Sequence, residues 1–240
     1  WKLEFADGTI MDGEKAEHVR EAAGVISAYF DLIGVRAFAN LEERDIDYEE
    51  EILTQFMKHS SVPVINLESA TLHPLQSFAD LITIREEVQK ARPKVVLSWA
   101  PHPRSLPQAV PNSFAQWMRK ADMDLVVTHP KGYELSTAYV PKHLIEYDQK
   151  KAFEGADVIY AKNWSCYDDY GQVLHEDSSW MINTEKMNLT NNARFMHCLP
   201  VRRNVVVSDE VLDSEQSVVI EEAKNRIVAA QTTLRKMLNA

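Results

Sequence analysis

Two cysteines, Cys166 and Cys198, in 240 residues exclude a disulfide framework and a thiolate metal cluster. No second Cys or paired His stands at ligand spacing, so a zinc site lacks its donor set. No G-x-G-x-x-G follows any strand-like run, which excludes a dinucleotide fingerprint, and a Walker-type phosphate loop is missing for the same reason. No apolar run approaches the roughly 18 residues that a membrane span needs, and no secretory signal is visible at the start. Basic residues are also short: 26 against 36 acids, a formal charge of -10, which argues against a general nucleic-acid binder. Cytoplasm is the default compartment that these absences leave. An initiator Met is lacking too. The chain opens on Trp1, in a segment that already reads as extended structure, and further residues are expected to precede it.

What is present is ordinary globular composition, 45% apolar and 26% charged, with a patterned order of elements. Apolar runs at Gly34–Phe38, Pro63–Leu67, Lys94–Trp99, Asp124–Thr128, Ala156–Ala161 and Ala193–Leu199 read as strands. Between them, helical spacing runs over Glu14–Tyr29, Tyr48–His59, Ser77–Lys90, Phe114–Ala121, residues 144–154 and Asn183–Leu189. A short helix from Ser208 to Leu212 and a long one from Glu221 to Leu238 close the chain. Strands alternating with helices predict βαβ units and parallel sheets flanked by helices, an α/β fold. Two α/β domains are expected, the first incomplete at its N-terminus. The expected division is residues 1–76, residues 77–210, and a C-terminal helix over residues 211–240 that returns to the first domain.

In open α/β sheets ligands bind beyond the carboxyl ends of strands, and those ends share a chemistry here. They carry Arg36, then Glu68 with His73 and Gln76, His102 with Arg104, Lys162, and Cys198 with Arg202. A set rich in Arg, His and Lys suits an anionic small substrate, because guanidinium forks match phosphate and carboxylate geometry. Taken alone, each residue has a plainer reading: a His after a strand is more often a turn or core residue, and Arg202–Arg203 a solvated pair. The adjacent His197 and Cys198 are not a nucleophilic dyad, since neighbours on a strand point to opposite faces. Pro101, Pro103, Pro107 and Pro111 form either a rigid connection or a stiff lip that holds His102 and Arg104.

HPLQSFADL at 73–81 and HCLP at 197–200 resemble the paired signatures of the aspartate/ornithine carbamoyltransferase superfamily. WAPHPRSLPQAVPNSFAQWM at 99–118, FEGADVIYAKNW at 153–164 and HCLPVRRN at 197–204 resemble its N-acylornithine branch. Enzymes on free ornithine carry an Asp-x-x-x-Ser-Met-Gly motif whose acid meets the α-ammonium. Here Lys162 stands at that strand end, and a cation there repels an ammonium but tolerates an acylated, uncharged nitrogen beside a carboxylate. The resemblance implies carbamoyl transfer from carbamoyl phosphate to the δ-amine of an acylornithine, in arginine biosynthesis, with no metal or organic cofactor.

The resemblance also implies roles. Arg36, His73, Gln76 and Arg226 contact carbamoyl phosphate; Arg36 and His73 polarise its carbonyl oxygen, and Arg226 helps hold the carbamoyl group. The carbonyls of Cys198 and Leu199 bind its nitrogen, and Cys198 sits beside the attacking amine. Glu68, His102, Lys162 and Arg202 contact the acylornithine. Trp1 matches a residue that a neighbouring subunit lends, which implies a homotrimer with shared sites. The family's Ser-x-Arg-Thr-Arg phosphate clamp is nowhere in residues 1–240 and is expected upstream, so these residues alone are expected to turn over weakly. Near-normal rates for residues 1–240 at saturating carbamoyl phosphate would sink that expectation. Two further positions bear on the acyl group: Ala16 stands where the branch has Pro in succinyl enzymes and Glu in acetyl enzymes, and Val206 where acetyl enzymes have Lys. Both differences favour N-succinylornithine on charge. A non-catalytic relative of the same fold is the competing reading, and ornithine or putrescine carbamoylation ranks last because it needs an acid at Lys162.

Overall fold

The computed structural model describes residues 2–239. The first part of the chain runs β1 (Leu3–Glu4), β2 (Glu17–His18), α1 (Val19–Tyr29), β3 (Ile33–Arg36), α2 (Arg44–Glu49), α3 (Glu51–His59), β4 (Val64–Glu68) and α4 (Pro74–Glu87). The second runs β5 (Lys94–Trp99), α5 (Ala109–Lys120), β6 (Asp124–Thr128), α6 (Gln149–Phe153), β7 (Val158–Lys162), α7 (Thr184–Met187), β8 (Arg194–Met196), α8 (Asp209–Leu212) and α9 (Val219–Leu238). All strand pairings among the described residues are parallel: β1 with β2, β3 with β4, and a four-stranded sheet in the order β6-β5-β7-β8. The expected parallel α/β architecture is what forms.

The larger sheet is buried on both faces, as near-continuous apolar strands predict. Its period-two alternation sends Val95, Leu97, Trp99, Val158, Tyr160 and Met196 into one apolar layer. Val96, Ile159, Ala161 and Phe195 enter the other. Each large apolar side chain so removed from water contributes about 1.5–3 kcal/mol. A third, smaller core joins β1, α1, β3 and α3 through Leu3, Val19, Ala22, Ile33, Val35, Leu53 and Phe56. Helix α4 lies between the two sheets in sequence and packs against both α5 and α9.

Several boundaries differ from the sequence expectation, each for a physical reason. Helix α1 begins at Val19 rather than Glu14, because Glu17 and His18 pair with Leu3 and Glu4. The imidazole of His18 then caps the helix by accepting the Arg20 N–H at 3.1 Å. The helix expected over Tyr48–His59 is two helices, broken where Glu50 adopts φ 50°. That turn aims the Glu50 carboxylate at Thr71, where it accepts the backbone N–H at 2.9 Å and the hydroxyl at 2.7 Å. Helix α5 starts at Ala109 and tolerates Pro111 in its first turn, where no N–H is needed. Only Gln149–Phe153 of the expected 144–154 helix is α-helical. Strand β8 stops at Met196, so His197 and Cys198 lie in the loop beyond it rather than on opposite faces of a strand.

This topology fixes where a ligand can sit. From the centre of the sheet the chain steps outward to β6 and then returns across to β7, so the strand order reverses beside β5. The crevice outside that reversal is the expected binding position. Trp99 and Lys162 are register partners there. Arg36 and Glu68 are register partners at the end of β3–β4, after an irregularity between Val35 and Arg36. The loop after β7 reaches back to α2: the Tyr170 hydroxyl donates to Asp47 at 2.8 Å, and the Arg44 guanidinium lies 4.6 Å above the Tyr167 ring.

Candidate active site

An open cleft of about 370 Å³ lies between these strand ends. The smaller sheet supplies Arg36, Phe38 and Glu68, the start of α4 supplies His73 and Gln76, and Pro107 and Val110 close the side after β5. Lys162 from β7, Cys198, Leu199 and Pro200 from beyond β8, and Arg226 from α9 complete it. Among its described lining residues there are thus three fixed cations and one carboxylate, a balance that favours an anion.

Arg36 and Arg226 are exposed and Lys162 is half-buried, while the neutral polar groups His73 and Gln76 are buried. Arg36 donates through Nη2 and Nε to Glu68 Oε2 at 2.8 and 3.2 Å, and its guanidinium lies 4.6 Å from the centre of the Phe38 ring. The ion pair and the ring hold a long side chain in one orientation. His73 is the residue before Pro74 opens α4, and its own N–H donates to Ser113 Oγ at 3.1 Å. It is 6% exposed. Burial pushes its imidazole down to about 4, with Arg226, Arg36 and Lys162 acting the same way against Glu68. His73 is therefore neutral at pH 7 and able to donate one N–H without carrying charge.

The residues beyond β8 are arranged by His197. Its backbone N–H donates to Glu222 Oε2 at 2.9 Å, and its ring Nδ1 accepts the Leu199 N–H at 2.9 Å. Burial, and then Lys162 and His102, lower its imidazole to about 3. His197 thus serves the loop rather than the Cys198 thiol, which leaves the dyad excluded on new grounds. The Cys198 thiol is itself pushed up by burial, against Lys162, so it is a protonated thiol and a poor nucleophile.

Of the residues read from sequence, Arg36, Glu68, His73, Gln76, Lys162, Cys198, Leu199 and Arg226 meet in this cleft. His102 and Arg202 do not line it but bind each other, Arg202 Nε donating to His102 Nε2 at 3.1 Å. Burial lowers His102 too, helped by Arg202 and Lys162, so the charge of Lys162 acts on this pair as well as on His73. Trp1 lies outside the described residues. Ala16 is exposed and Val206 is 2% exposed in an apolar layer, and neither lines the cleft.

Sequence reasoning missed two buried acids, Asp80 and Glu222, both 0% exposed. A signal was available for each. Asp80 stands four residues after Gln76, one helical turn on, and Glu222 stands among Val219, Asn225 and Ala229 on the buried face of α9. A charge at core spacing marks a polar network.

Residues 3–86 match the carbamoyl-P binding domain of aspartate/ornithine carbamoyltransferase, and residues 107–237 match its Asp/Orn binding domain. The N-succinylornithine carbamoyltransferase of Bacteroides thetaiotaomicron is 59% identical, over 99% of this chain and 76% of that protein. The N-acetylornithine carbamoyltransferase of Xanthomonas axonopodis pv. citri is 38% identical, over 95% of this chain and 72% of its own length. An acetylornithine transcarbamylase solved in complex with acetylcitrulline superimposes with a TM-score of 0.93 at 36% identity, over 99% of this chain and 77% of that one. A glutamate-to-alanine variant of N-acetyl-L-ornithine transcarbamylase, solved with carbamyl phosphate and N-succinyl-L-norvaline, superimposes with a TM-score of 0.91 at 36% identity, again over 99% and 77%. The chain belongs to the aspartate/ornithine carbamoyltransferase family.

Proposed function

We propose that this enzyme transfers the carbamoyl group of carbamoyl phosphate to the δ-amine of N-succinyl-L-ornithine, giving N-succinyl-L-citrulline and phosphate in arginine biosynthesis. The observation that carries the reading is one cleft in which a buried neutral imidazole, His73, shares the lining with three cations, Arg36, Lys162 and Arg226. The acyl choice rests on 59% identity to a succinyl-type relative against 38% to an acetyl-type one.

The δ-nitrogen attacks the carbamoyl carbon, a C–N bond forms, the C–O bond to phosphate breaks, and the amine's proton leaves with the phosphate. Negative charge develops first on the carbamoyl oxygen and then on the departing phosphate. His73 donates its N–H to that oxygen, and Arg36 adds a fixed cation beside it. Arg226 faces the carbamoyl group across the cleft. Carbonyls of Cys198 and Leu199 accept the carbamoyl N–H groups, and Gln76 does the same from the floor. Glu68 holds Arg36 and, with Lys162, His102 and Arg202, forms the acylornithine side. Lys162 and Arg202 meet its carboxylates, and Lys162 disfavours a free α-ammonium. Orienting both substrates in one cleft replaces a bimolecular encounter by a positioned one.

The same reading assigns residues 1–76 to the carbamoyl phosphate side, 77–210 to the acylornithine side and 211–240 to a return between them. It includes a cytoplasmic homotrimer in which Trp1 reaches a neighbour's site. That reading is supported by family resemblance, and sedimentation at three times the subunit mass tests it. For the reaction, kcat/KM is measured on the purified enzyme with N-succinylornithine, N-acetylornithine and ornithine. The succinyl substrate is expected to lead; a preference for acetyl overturns the acyl assignment, and a preference for ornithine overturns the role of Lys162.

A further inference from the structure

Two helices, α4 and α9, and one loop meet at a buried polar knot whose two acids have no part in the proposed reaction. Gln76 of α4 is 1% exposed, and Asp80 and Glu222 are 0% exposed. The Gln76 amide nitrogen donates to Asp80 Oδ1 at 2.8 Å and to Glu222 Oε1 at 3.1 Å. On its other side Glu222 Oε2 accepts the His197 N–H at 2.9 Å. The knot therefore touches both the floor of the cleft, at Gln76, and its far wall, at the start of the His197–Pro200 loop.

An amide has two N–H donors at one end and one acceptor oxygen at the other. Both Gln76 donors are taken by carboxyl oxygens, and the reversed amide would set its oxygen against two acceptors. Gln76 is thus locked with Oε1 as the group left for the cleft. An acceptor there receives the carbamoyl N–H; a donor there would not. The far wall is held by the same means. The amides of His197 and Leu199, on either side of Cys198, are both engaged, and Leu199 is kept at φ 53°, a left-handed conformation that persists only when its surroundings fix it.

We propose that Glu222 and Asp80 are positioning residues for the carbamoyl half of the site, fixing which end of the Gln76 amide faces the cleft and anchoring the backbone of the His197–Leu199 wall. The inference rests on the reaction proposed above. The two carboxyl groups share one amide nitrogen with Tyr160, Cys198 and Arg226 as their other titratable neighbours. Burial pushes Asp80 up to about 7 and Glu222 well above the usual carboxylate range. A proton kept between them removes the repulsion that two buried anions would exert.

The test is Glu222→Gln, which keeps the shape of the side chain but brings a second amide nitrogen against that of Gln76. Gln76 then turns its own nitrogen toward the cleft. The KM for carbamoyl phosphate is expected to rise at least about tenfold, with kcat lowered, the KM for the acylornithine within about twofold and Tm nearly unchanged. Asp80→Asn is expected to move the same two parameters by a smaller factor. Wild-type values for both substrates are measured alongside. If the wild type does not use carbamoyl phosphate, the proposed reaction fails. If it does and Glu222→Gln matches it, or shifts both KM values equally, the positioning role fails. If Glu222→Gln does not fold, Asp80→Asn decides by the same criterion, and collapse of both variants overturns the inference by making the pair structural only.

Discussion

The floor of the cleft and its cationic wall are built on opposite terms. His73 and Gln76 on the floor are at most 6% exposed and already hydrogen-bonded or desolvated. Arg36 and Arg226 on the wall are exposed, keep much of their hydration until an anion arrives, and lose little in solvation. Buried neutral groups act on charge that develops during the reaction, because they need no reorganisation at that moment. Exposed cations act on charge the substrates bring with them, and are screened by salt over about 10 Å at 0.1 M. His73 should therefore govern kcat and the cationic wall KM, while Gln76, which holds the carbamoyl group before the reaction begins, bears on both.

Substitutions separate these roles. His73→Ala removes the one donor that is neutral at pH 7 beside the reacting oxygen, and kcat should fall by about 10² to 10³ with a smaller change in KM; steady-state kinetics at saturating substrates checks this. Lys162→Glu inverts the wall's charge at the acyl end. The kcat/KM for N-succinylornithine should fall by roughly 10² while its ratio to ornithine shrinks, read from competition between the two substrates.

The pH dependence of stability follows from the floor. The unfolded chain takes up a proton at His73 near the ordinary value of 6.5, which the native protein refuses until about 4. The folded pKa is the lower one, so full stability holds above pH 6.5, falls as pH drops, and is lost to this group on passing through pH 4. The difference between wild type and His73→Asn in denaturant unfolding at pH 7 and pH 4 should change by on the order of 3 kcal/mol. The smallest effect is expected at Cys198. Cys198→Ala should lower kcat only a few-fold, and mass spectrometry of the enzyme with carbamoyl phosphate should find no carbamoylated Cys198. A trapped adduct would restore a nucleophilic thiol.

Much of this contrast was legible in the chain. Strands β5 and β6 were read to the residue, because β-branched runs between Pro93 and the proline loop, and before His129–Pro130, leave little choice of register. The strand-end residues could be listed because parallel sheets gather them at one edge. What stayed hidden was non-local. The late start of α1 depends on a pairing with Leu3–Glu4, and the break at Glu50 on a contact with Thr71. Asp80 and Glu222 were passed over because an acid on a helix is ordinarily a solvated face; their burial appears only when α4 and α9 meet. Val206 shows the converse, a position singled out for charge that packs into an apolar layer.

The most direct test is a crystal structure of the enzyme with a bisubstrate analogue that joins a carbamoyl phosphonate to N-succinylornithine. The account places the carbonyl oxygen of the analogue beside His73 and Arg36, its amide nitrogen toward Gln76 and the Cys198–Leu199 carbonyls, and its carboxylates at Lys162 and Arg202. An analogue bound in the reverse direction, or outside the cleft between β4, β7 and α9, would contradict it.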